Sequence, residues 1–173
     1  MTSMQDHVIL IGFKHAGKTS VGRELAVLLA RPFIDLDDEI ERRHQKSCRT
    51  IMQEHGHAFF RELEREALRD TLEKKVCVMA LGGGAPLSAR NQALLLPYTL
   101  VHVTASPDLV FDRIMAHGRP AFFPDNEDPQ EAFKKLWEAR DVIYRDIADF
   151  SVQNDGEIIE AAQAITKLVK ERA

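Results

Sequence analysis

The sequence predicts an α/β fold with a mainly parallel sheet, and two observations carry that prediction. Short apolar runs alternate with longer amphipathic stretches along the chain, which is the pattern of repeated strand and helix units. A glycine-rich segment also stands between the first apolar run and the first helical pattern. The 173 residues contain no repeat, low-complexity tract or linker, so we expect one domain over residues 1–173.

The predicted elements follow from hydrophobic periodicity. Apolar runs predict five strands, at Val8–Gly12, Pro32–Leu36, Val76–Ala80, Tyr98–Val103 and Asp149–Val152. Apolar residues at helical spacing predict helices at Lys18–Ala30, Thr50–Glu73, Ser88–Leu96, Asp108–His117, Pro129–Ala148 and Glu157–Glu171. A five-stranded parallel sheet with helices on both faces, a three-layer sandwich, accommodates this order.

Composition excludes several classes of function. The formal charge is −4, from 23 basic and 27 acidic residues, and no long basic block suggests a nucleic-acid or membrane-surface partner. Cys48 and Cys77 lack the spacing of a zinc site or disulfide framework, and both suit a reducing compartment. No leader segment or apolar run of membrane-spanning length is present. We therefore expect a cytoplasmic protein that binds a small molecule.

The segment Gly12–Thr19 matches the phosphate-binding pattern GxxxxGK[ST], and it lies between a predicted strand and a predicted helix as such a loop must. Its backbone N–H groups and the start of the helix can bind phosphate oxygens. Lys18 would neutralise β/γ-phosphate charge and the Thr19 hydroxyl would ligate Mg²⁺. The alternative is a glycine turn capped by Thr19. The pattern predicts nucleotide binding.

Two acids follow the second predicted strand, where ligands of parallel sheets bind. Asp35 and Asp37, at i and i+2 of an extended segment, would point the same way and share one cleft. One could reach Mg²⁺ and the other could accept a hydrogen bond from a substrate hydroxyl. The alternative is that Asp37 or Asp38 caps the following helix.

Three further features could complete a site. Gly82-Gly83-Gly84 follows the third predicted strand and indicates either close approach of a ligand or positive φ, with a tight turn as the alternative. Arg61 and Arg140 could each bind a carboxylate through two hydrogen bonds, or be ordinary ion-paired helix residues. The proline-rich segment 117–128 could be a connector or a lid that excludes water.

Taken together, these residues resemble shikimate kinases over nearly the whole chain. The resemblance runs through the P-loop, Phe33–Glu41 with its two acids, Phe60–Glu64, the triple glycine, the pair Arg119-Pro120, and Arg140 with Tyr144, Ile147 and Ala148. The P-loop alone is common to many kinases. The ordered combination of DxD, FRxxE, GGG and RP is specific to this family.

The resemblance implies transfer of the ATP γ-phosphoryl group to the 3-hydroxyl of shikimate by a monomeric, P-loop NTPase-like enzyme with Mg²⁺, a step toward chorismate. It implies a helical substrate-binding segment at about 37–64 and a lid at about 117–128. It assigns nucleotide binding to Gly12, His15, Ala16, Gly17, Lys18, Thr19, Ser20, Arg113 and Arg119. It assigns substrate binding to Asp37, Arg61, Glu64, Gly82, Gly83, Gly84 and Arg140, metal binding to Thr19 and Asp35, and catalysis to Lys18, Asp37 and Arg119.

The chain departs from the family pattern at a few positions. In the P-loop, His15 stands where the family has a small residue and Lys14 where it has an apolar one. Val142 replaces a proline, and the apolar residue that follows Arg119-Pro120 is only an alanine, Ala121. Two other functions stay open. One is another P-loop kinase of small metabolites such as gluconate, and the other is a kinase-like protein that binds nucleotide or metabolite without turnover.

Overall fold

The computed structural model describes residues 6–120 and 122–173, so Ala121 of the predicted lid and the first five residues lie outside the described part. Five parallel strands form one sheet in the order β2-β3-β1-β4-β5. The strands are β1 Val8–Ile11, β2 Phe33–Asp35, β3 Val78–Ala80, β4 Thr99–Thr104 and β5 Phe150–Gln153. The predicted fold class is thereby confirmed.

Eight helices and one short 3-10 turn connect and cover the strands in the described residues. They are α1 Lys18–Leu28, α2 Leu36–His44, α3 Cys48–His55, α4 His57–Leu72, the turn Ala85–Leu87, α5 Ala89–Leu95, α6 Pro107–Met115, α7 Pro129–Ile147 and α8 Ile158–Arg172. None of the helices in this part of the chain is long and apolar enough to cross a membrane.

The central strand β1 explains the two-sided core. All four of its residues are buried, and alternate side chains enter opposite faces of the sheet. Ile9 and Ile11 belong to one apolar cluster, while Val8 and Leu10 belong to the other with residues of α1 and α8. Strands buried on both faces are typical of parallel sheets between helical layers. This arrangement brings the carboxyl ends of β1, β2 and β3 to one edge.

Two predicted elements were wrong in detail. The predicted helix Thr50–Glu73 is two helices, because Gly56 adopts φ 86 and its N–H binds the carbonyl of Met52 to end α3. The predicted strand Pro32–Leu36 ends at Asp35, and Leu36 already begins α2, which the periodicity did not indicate as a separate element. The first correction lies in the segment predicted to bind substrate, and the second lies just before it.

The segment 117–128 joins α6 to α7 and contains no helix or strand among its described residues. Phe123 is buried and belongs to the larger apolar cluster, which fixes the middle of the segment to the body of the protein. Phe122 next to it is 40% exposed. The segment is therefore attached at its ends and at one aromatic residue, and its function as a lid stays a prediction.

Candidate active site

The P-loop is folded around its own lysine. The buried Lys18 ammonium donates to the carbonyls of Gly12 at 2.8 Å and Phe13 at 2.9 Å. Burial lowers the pKa of Lys18 to about 8, against the opposing effect of Asp37 and Asp35. No side chain caps α1, whose N-cap is Gly17, so the alternative of a turn capped by Thr19 is wrong. The loop therefore presents free N–H groups and a cation to an anion.

Thr19 and Asp35 join the P-loop to the end of β2. The Thr19 hydroxyl donates to Asp35 Oδ2 at 2.7 Å, and Asp35 Oδ1 accepts the N–H groups of Asp37 at 3.0 Å and Asp38 at 3.3 Å. The cap of α2 is therefore Asp35, and the alternative of a cap at Asp37 or Asp38 is wrong. Oxygen atoms of a hydroxyl and a carboxylate, held together, are ligands of the type that Mg²⁺ prefers.

Asp37 shares the cleft with Asp35, but not for the predicted reason. It lies in the first turn of α2, so the two acids are not alternate residues of an extended segment. Burial raises the pKa of the Asp37 carboxyl, and the neighbouring Asp35 raises it further, while Lys18 opposes both effects. A carboxylate of raised pKa accepts a proton or a hydroxyl hydrogen bond more readily.

A cavity of about 520 Å³ opens over the P-loop, and we call it the P-loop cavity. Three residues predicted to bind nucleotide do not line it: Gly12, Ala16 and Arg119. The Gly12 and Ala16 carbonyls instead accept hydrogen bonds from Lys18 and Asn154, which do line it. Its lining residues are Lys14, His15, Gly17, Lys18, Thr19, Ser20, Asp35, Asp37, Leu81, Gly82, Gly83, Arg113, Asn154 and Ile158.

Two residues hold the P-loop from outside. Arg113 donates to the His15 carbonyl at 3.2 Å, in agreement with a place at the nucleotide. The buried Asn154, which the prediction left out, donates to the Ala16 carbonyl at 2.9 Å, and its side-chain oxygen has no hydrogen-bond partner. Asn154 directly follows β5. Its position at the carboxyl end of a strand was the one signal that could have found it.

A second cavity, of about 380 Å³, contains both predicted clamp arginines, and we call it the arginine cavity. Arg61 donates through one nitrogen to both carboxylate oxygens of the buried Glu64, at 2.8 and 2.9 Å. Burial raises the pKa of Glu64 even though Arg61 lowers it. The prediction missed several lining residues: Lys14, Glu41, Ser47, Cys48, Arg49, Met52, His57, Phe60 and Phe122.

The triple glycine is required by close approach of side chains. A Cβ on Gly84 would lie 2.2 Å from a terminal nitrogen of Arg61, and one on Gly82 would lie 2.9 Å from the Asp37 carboxylate. Gly83 is less crowded, with Arg140 at 3.5 Å, although its carbonyl accepts the Tyr144 hydroxyl at 2.5 Å. None of the three has positive φ. The glycines thus let the side chains of both cavities meet the backbone.

The two cavities share four residues, Lys14, Asp37, Gly82 and Gly83, which we call the junction. A group that leaves the P-loop cavity for the arginine cavity must pass these residues. Asp37 is the only carboxylate among them. The geometry therefore suits transfer of a phosphoryl group from a nucleotide to a hydroxyl that Asp37 contacts.

The structure does not bring Arg119 into the P-loop cavity. Its guanidinium donates to the carbonyls of Pro124 and Glu127, the latter at 2.7 Å, within its own segment. It lines a third cavity of about 600 Å³, the lid cavity, between the segment 117–128 and α3. His15, at φ 64, stacks on His117 with ring centroids 5.1 Å apart. Burial and nearby cations lower the pKa of His15, which favours the neutral ring in this stack.

A parallel sheet with a P-loop at its carboxyl edge, opening through the junction onto a cavity with two arginines, defines a P-loop phosphotransferase. The family model described as Shikimate kinase matches residues 14–170. A shikimate kinase of Thermus thermophilus is 40% identical over 154 residues, which cover 88% of this chain and 83% of that protein.

The solved structure of the shikimate kinase from Acinetobacter baumannii in complex with shikimate matches with a TM-score of 0.87 and 33% identity, over 96% of this chain and 94% of that one. A longer relative, the bifunctional shikimate kinase/3-dehydroquinate synthase of Thermotoga maritima, is 32% identical over 137 residues, and the match covers 27% of its length. The chain belongs to the shikimate kinase family.

Proposed function

We propose that the protein transfers the γ-phosphoryl group of ATP to the 3-hydroxyl of shikimate, giving shikimate 3-phosphate and ADP in the route to chorismate and the aromatic amino acids. The observation that carries this proposal is the junction. It joins a cavity suited to a triphosphate to one suited to a carboxylate, and it places Asp37 between them. Family membership supports the choice of shikimate over gluconate.

The acceptor is held by its carboxylate. Arg140 lies beside Gly83 and Arg61 beside Gly84, so the two guanidinium groups flank successive residues of one loop. Two cations that border one loop in one cavity suit a single carboxylate, which guanidinium groups bind through paired hydrogen bonds. The buried Glu64 holds Arg61 in place through one nitrogen and leaves its other nitrogens for the substrate. Gly82–Gly84 supplies backbone contacts.

The ring hydroxyls bind Asp37. During transfer, a bond forms between the 3-hydroxyl oxygen and the γ-phosphorus, the bond from the γ-phosphorus to the bridging oxygen breaks, and ADP leaves. The hydroxyl proton goes to Asp37, whose raised pKa favours its acceptance. Lys18 leaves the Gly12 and Phe13 carbonyls to bind phosphate oxygens and to neutralise the charge that shifts to the leaving ADP.

Thr19 and Asp35 would hold a magnesium ion, the hydroxyl as a direct ligand and the carboxylate through water. Their oxygens are 2.7 Å apart at the edge of the P-loop cavity. When bound, Mg²⁺ supplies charge neutralisation at the β- and γ-phosphates. In this proposal Ser20 and His15 contact the phosphates and Arg113 contacts the adenine, and all three line the P-loop cavity together with Asn154.

Arg119 takes part after a rearrangement of the segment 117–128, which acts as a lid. Its present partners are two exposed carbonyls of the same segment, and such contacts are readily exchanged for a phosphate. We also propose that residues 1–173 form one kinase domain that works as a cytoplasmic monomer. Both cysteines are free thiols, which suits a reducing compartment.

Release of ADP in a coupled assay tests the function. With Mg-ATP, we expect ADP release that requires shikimate and saturates with it. Release with gluconate in place of shikimate would instead support the other P-loop kinase. If nucleotide and shikimate both bind, as judged by calorimetry, but no ADP forms, the protein is a kinase-like binding protein and the proposal fails.

A further inference from the structure

Lys14 is the one residue of the described chain that lines the P-loop cavity, the arginine cavity and the lid cavity together. It belongs to the P-loop and precedes the buried Lys18 by four residues. Its side chain is exposed, and no carboxylate pairs with it in residues 6–120 and 122–173. A cation without a carboxylate partner among the described residues, at a meeting point of three cavities, is available to an anionic ligand.

The neighbours of Lys14 are those of the proposed reaction. The Lys14 backbone nitrogen lies 3.6 Å from the position of a Cβ on Gly83, so the residue borders the glycine loop as well as the P-loop. Its ammonium stands 5.8 Å from the centre of the Phe122 ring, a weak cation–π contact on the lid side. The long flexible side chain can leave that contact for a stronger anion.

The charge of Lys14 already acts on both sides of the junction. It lowers the pKa of Lys18 on the donor side, and it also lowers the pKa of Asp37 on the acceptor side. A phosphoryl group that passes between Lys18 and Asp37 would carry more charge than either side chain. Its oxygens would therefore interact with Lys14 more strongly than those side chains do.

We propose that Lys14 is a further catalytic residue, a second lysine of the P-loop that binds the γ-phosphoryl oxygens as the group crosses the junction. Lys18 faces the phosphates from inside the loop, whereas Lys14 faces them from the arginine cavity. The proposal rests on the proposed phosphorylation of shikimate. In a loose transition state the charge lies on the equatorial oxygens, and neutralising it lowers the barrier more than it tightens binding of either substrate.

The test compares Lys14→Met, Lys14→Arg and Lys134→Met, the last being a matched control on an exposed lysine of α7. We expect Lys14→Met to lower kcat about tenfold to a hundredfold, with the KM values for ATP and shikimate changed less than about threefold. Lys14→Arg should recover most of kcat, and Lys134→Met should match the wild type. Equal melting temperatures would show that the variants are folded.

Three results would overturn the proposal: a kcat of Lys14→Met within about twofold of the wild type, equal impairment of the methionine and arginine variants, or a loss confined to KM. The wild-type protein, measured in the same experiment, separates this proposal from the proposed function. Shikimate-dependent ADP release by the wild type supports the proposed function, whatever the Lys14 variants show.

A second comparison separates catalysis from a purely structural contact with Phe122. In a Phe122→Leu background the ring is gone, and Lys14→Met should still lower kcat by a similar factor. If Lys14→Met has no further effect in that background, Lys14 acts only through Phe122 and is not a catalytic residue.

Discussion

The P-loop cavity and the arginine cavity are built in opposite ways. One side of the first is a contiguous segment, Gly12–Thr19, whose carbonyls accept hydrogen bonds from Lys18, and residues of other segments complete the lining. The second is assembled from side chains of α2, α3, α4 and α7, with Lys14 and Phe122, against the loop after β3, so its residues lie far apart in sequence. A segment that folds locally can serve many acceptors, whereas an assembled cavity selects one. The chemistry of transfer thus belongs to the P-loop, and the choice of acceptor belongs to the helices around it.

The largest expected effect comes from the P-loop side. Lys18→Met removes the buried cation that faces the phosphates, so we expect kcat to fall by about a thousandfold. Shikimate affinity should change little, because Lys18 does not line the arginine cavity. Steady-state kinetics with calorimetric titration of shikimate would check both. A loss of shikimate affinity as large as the loss of kcat would mean that the two cavities are not separable.

A smaller effect is expected from a change in the arginine cavity. Gly84→Ala places a Cβ 2.2 Å from Arg61, which must turn away from the cavity, so kcat/KM for shikimate should fall by about a hundredfold. The displaced guanidinium also pairs with the buried Glu64, so the melting temperature should fall, and activity is compared at a temperature well below it.

The matched variant of Gly84→Ala is Gly83→Ala, whose Cβ would meet nothing closer than 3.4 Å. We expect a clearly smaller loss from it. An equal loss in both variants would mean that the loop itself, and not the position of Arg61, carries the effect. In neither variant should the Kd for ATP rise.

The smallest expected effect is a pH dependence of the affinity for ATP. Burial lowers the pKa of Lys18 to about 8 in the free protein, and a bound phosphate raises it again. Affinity for ATP is therefore complete below this pKa and is lost as the pH rises through it. We expect the Kd for ATP to increase about tenfold between about pH 7 and about pH 9, with proton uptake on binding. Lys18→Met should abolish this dependence, and its persistence in that variant would assign it to another group.

The same contrast explains how much the sequence could predict. The P-loop and the positions of the five strands along the chain were predicted because each depends on neighbours in sequence. Asn154 was missed because it acts on Ala16 across 138 residues of chain and belongs to no motif. The helical position of Asp37 was missed because Asp35, not its neighbour, caps α2. The break at Gly56 depends on one backbone angle that hydrophobic periodicity does not report.

The residues of the arginine cavity show the remaining limit. Arg61 and Arg140 were individually ordinary helix arginines, and only the fold places one beside Gly84 and the other beside Gly83. The resemblance supplied their pairing, while the structure supplies its physical reason in the close approach of both to one loop. Lys14 occupies a variable position of the motif, so its place at three cavities could not be predicted from the pattern.

The central claim, that Arg61 gives the arginine cavity its preference for a carboxylate, is tested most directly by kcat/KM for shikimate in Arg61→Ala. The matched control is Arg69→Ala, an exposed arginine two turns further along α4. The account predicts a loss of at least about a hundredfold in Arg61→Ala, with the KM for ATP unchanged and the control near the wild type. A kcat/KM close to that of the wild type in Arg61→Ala would contradict it.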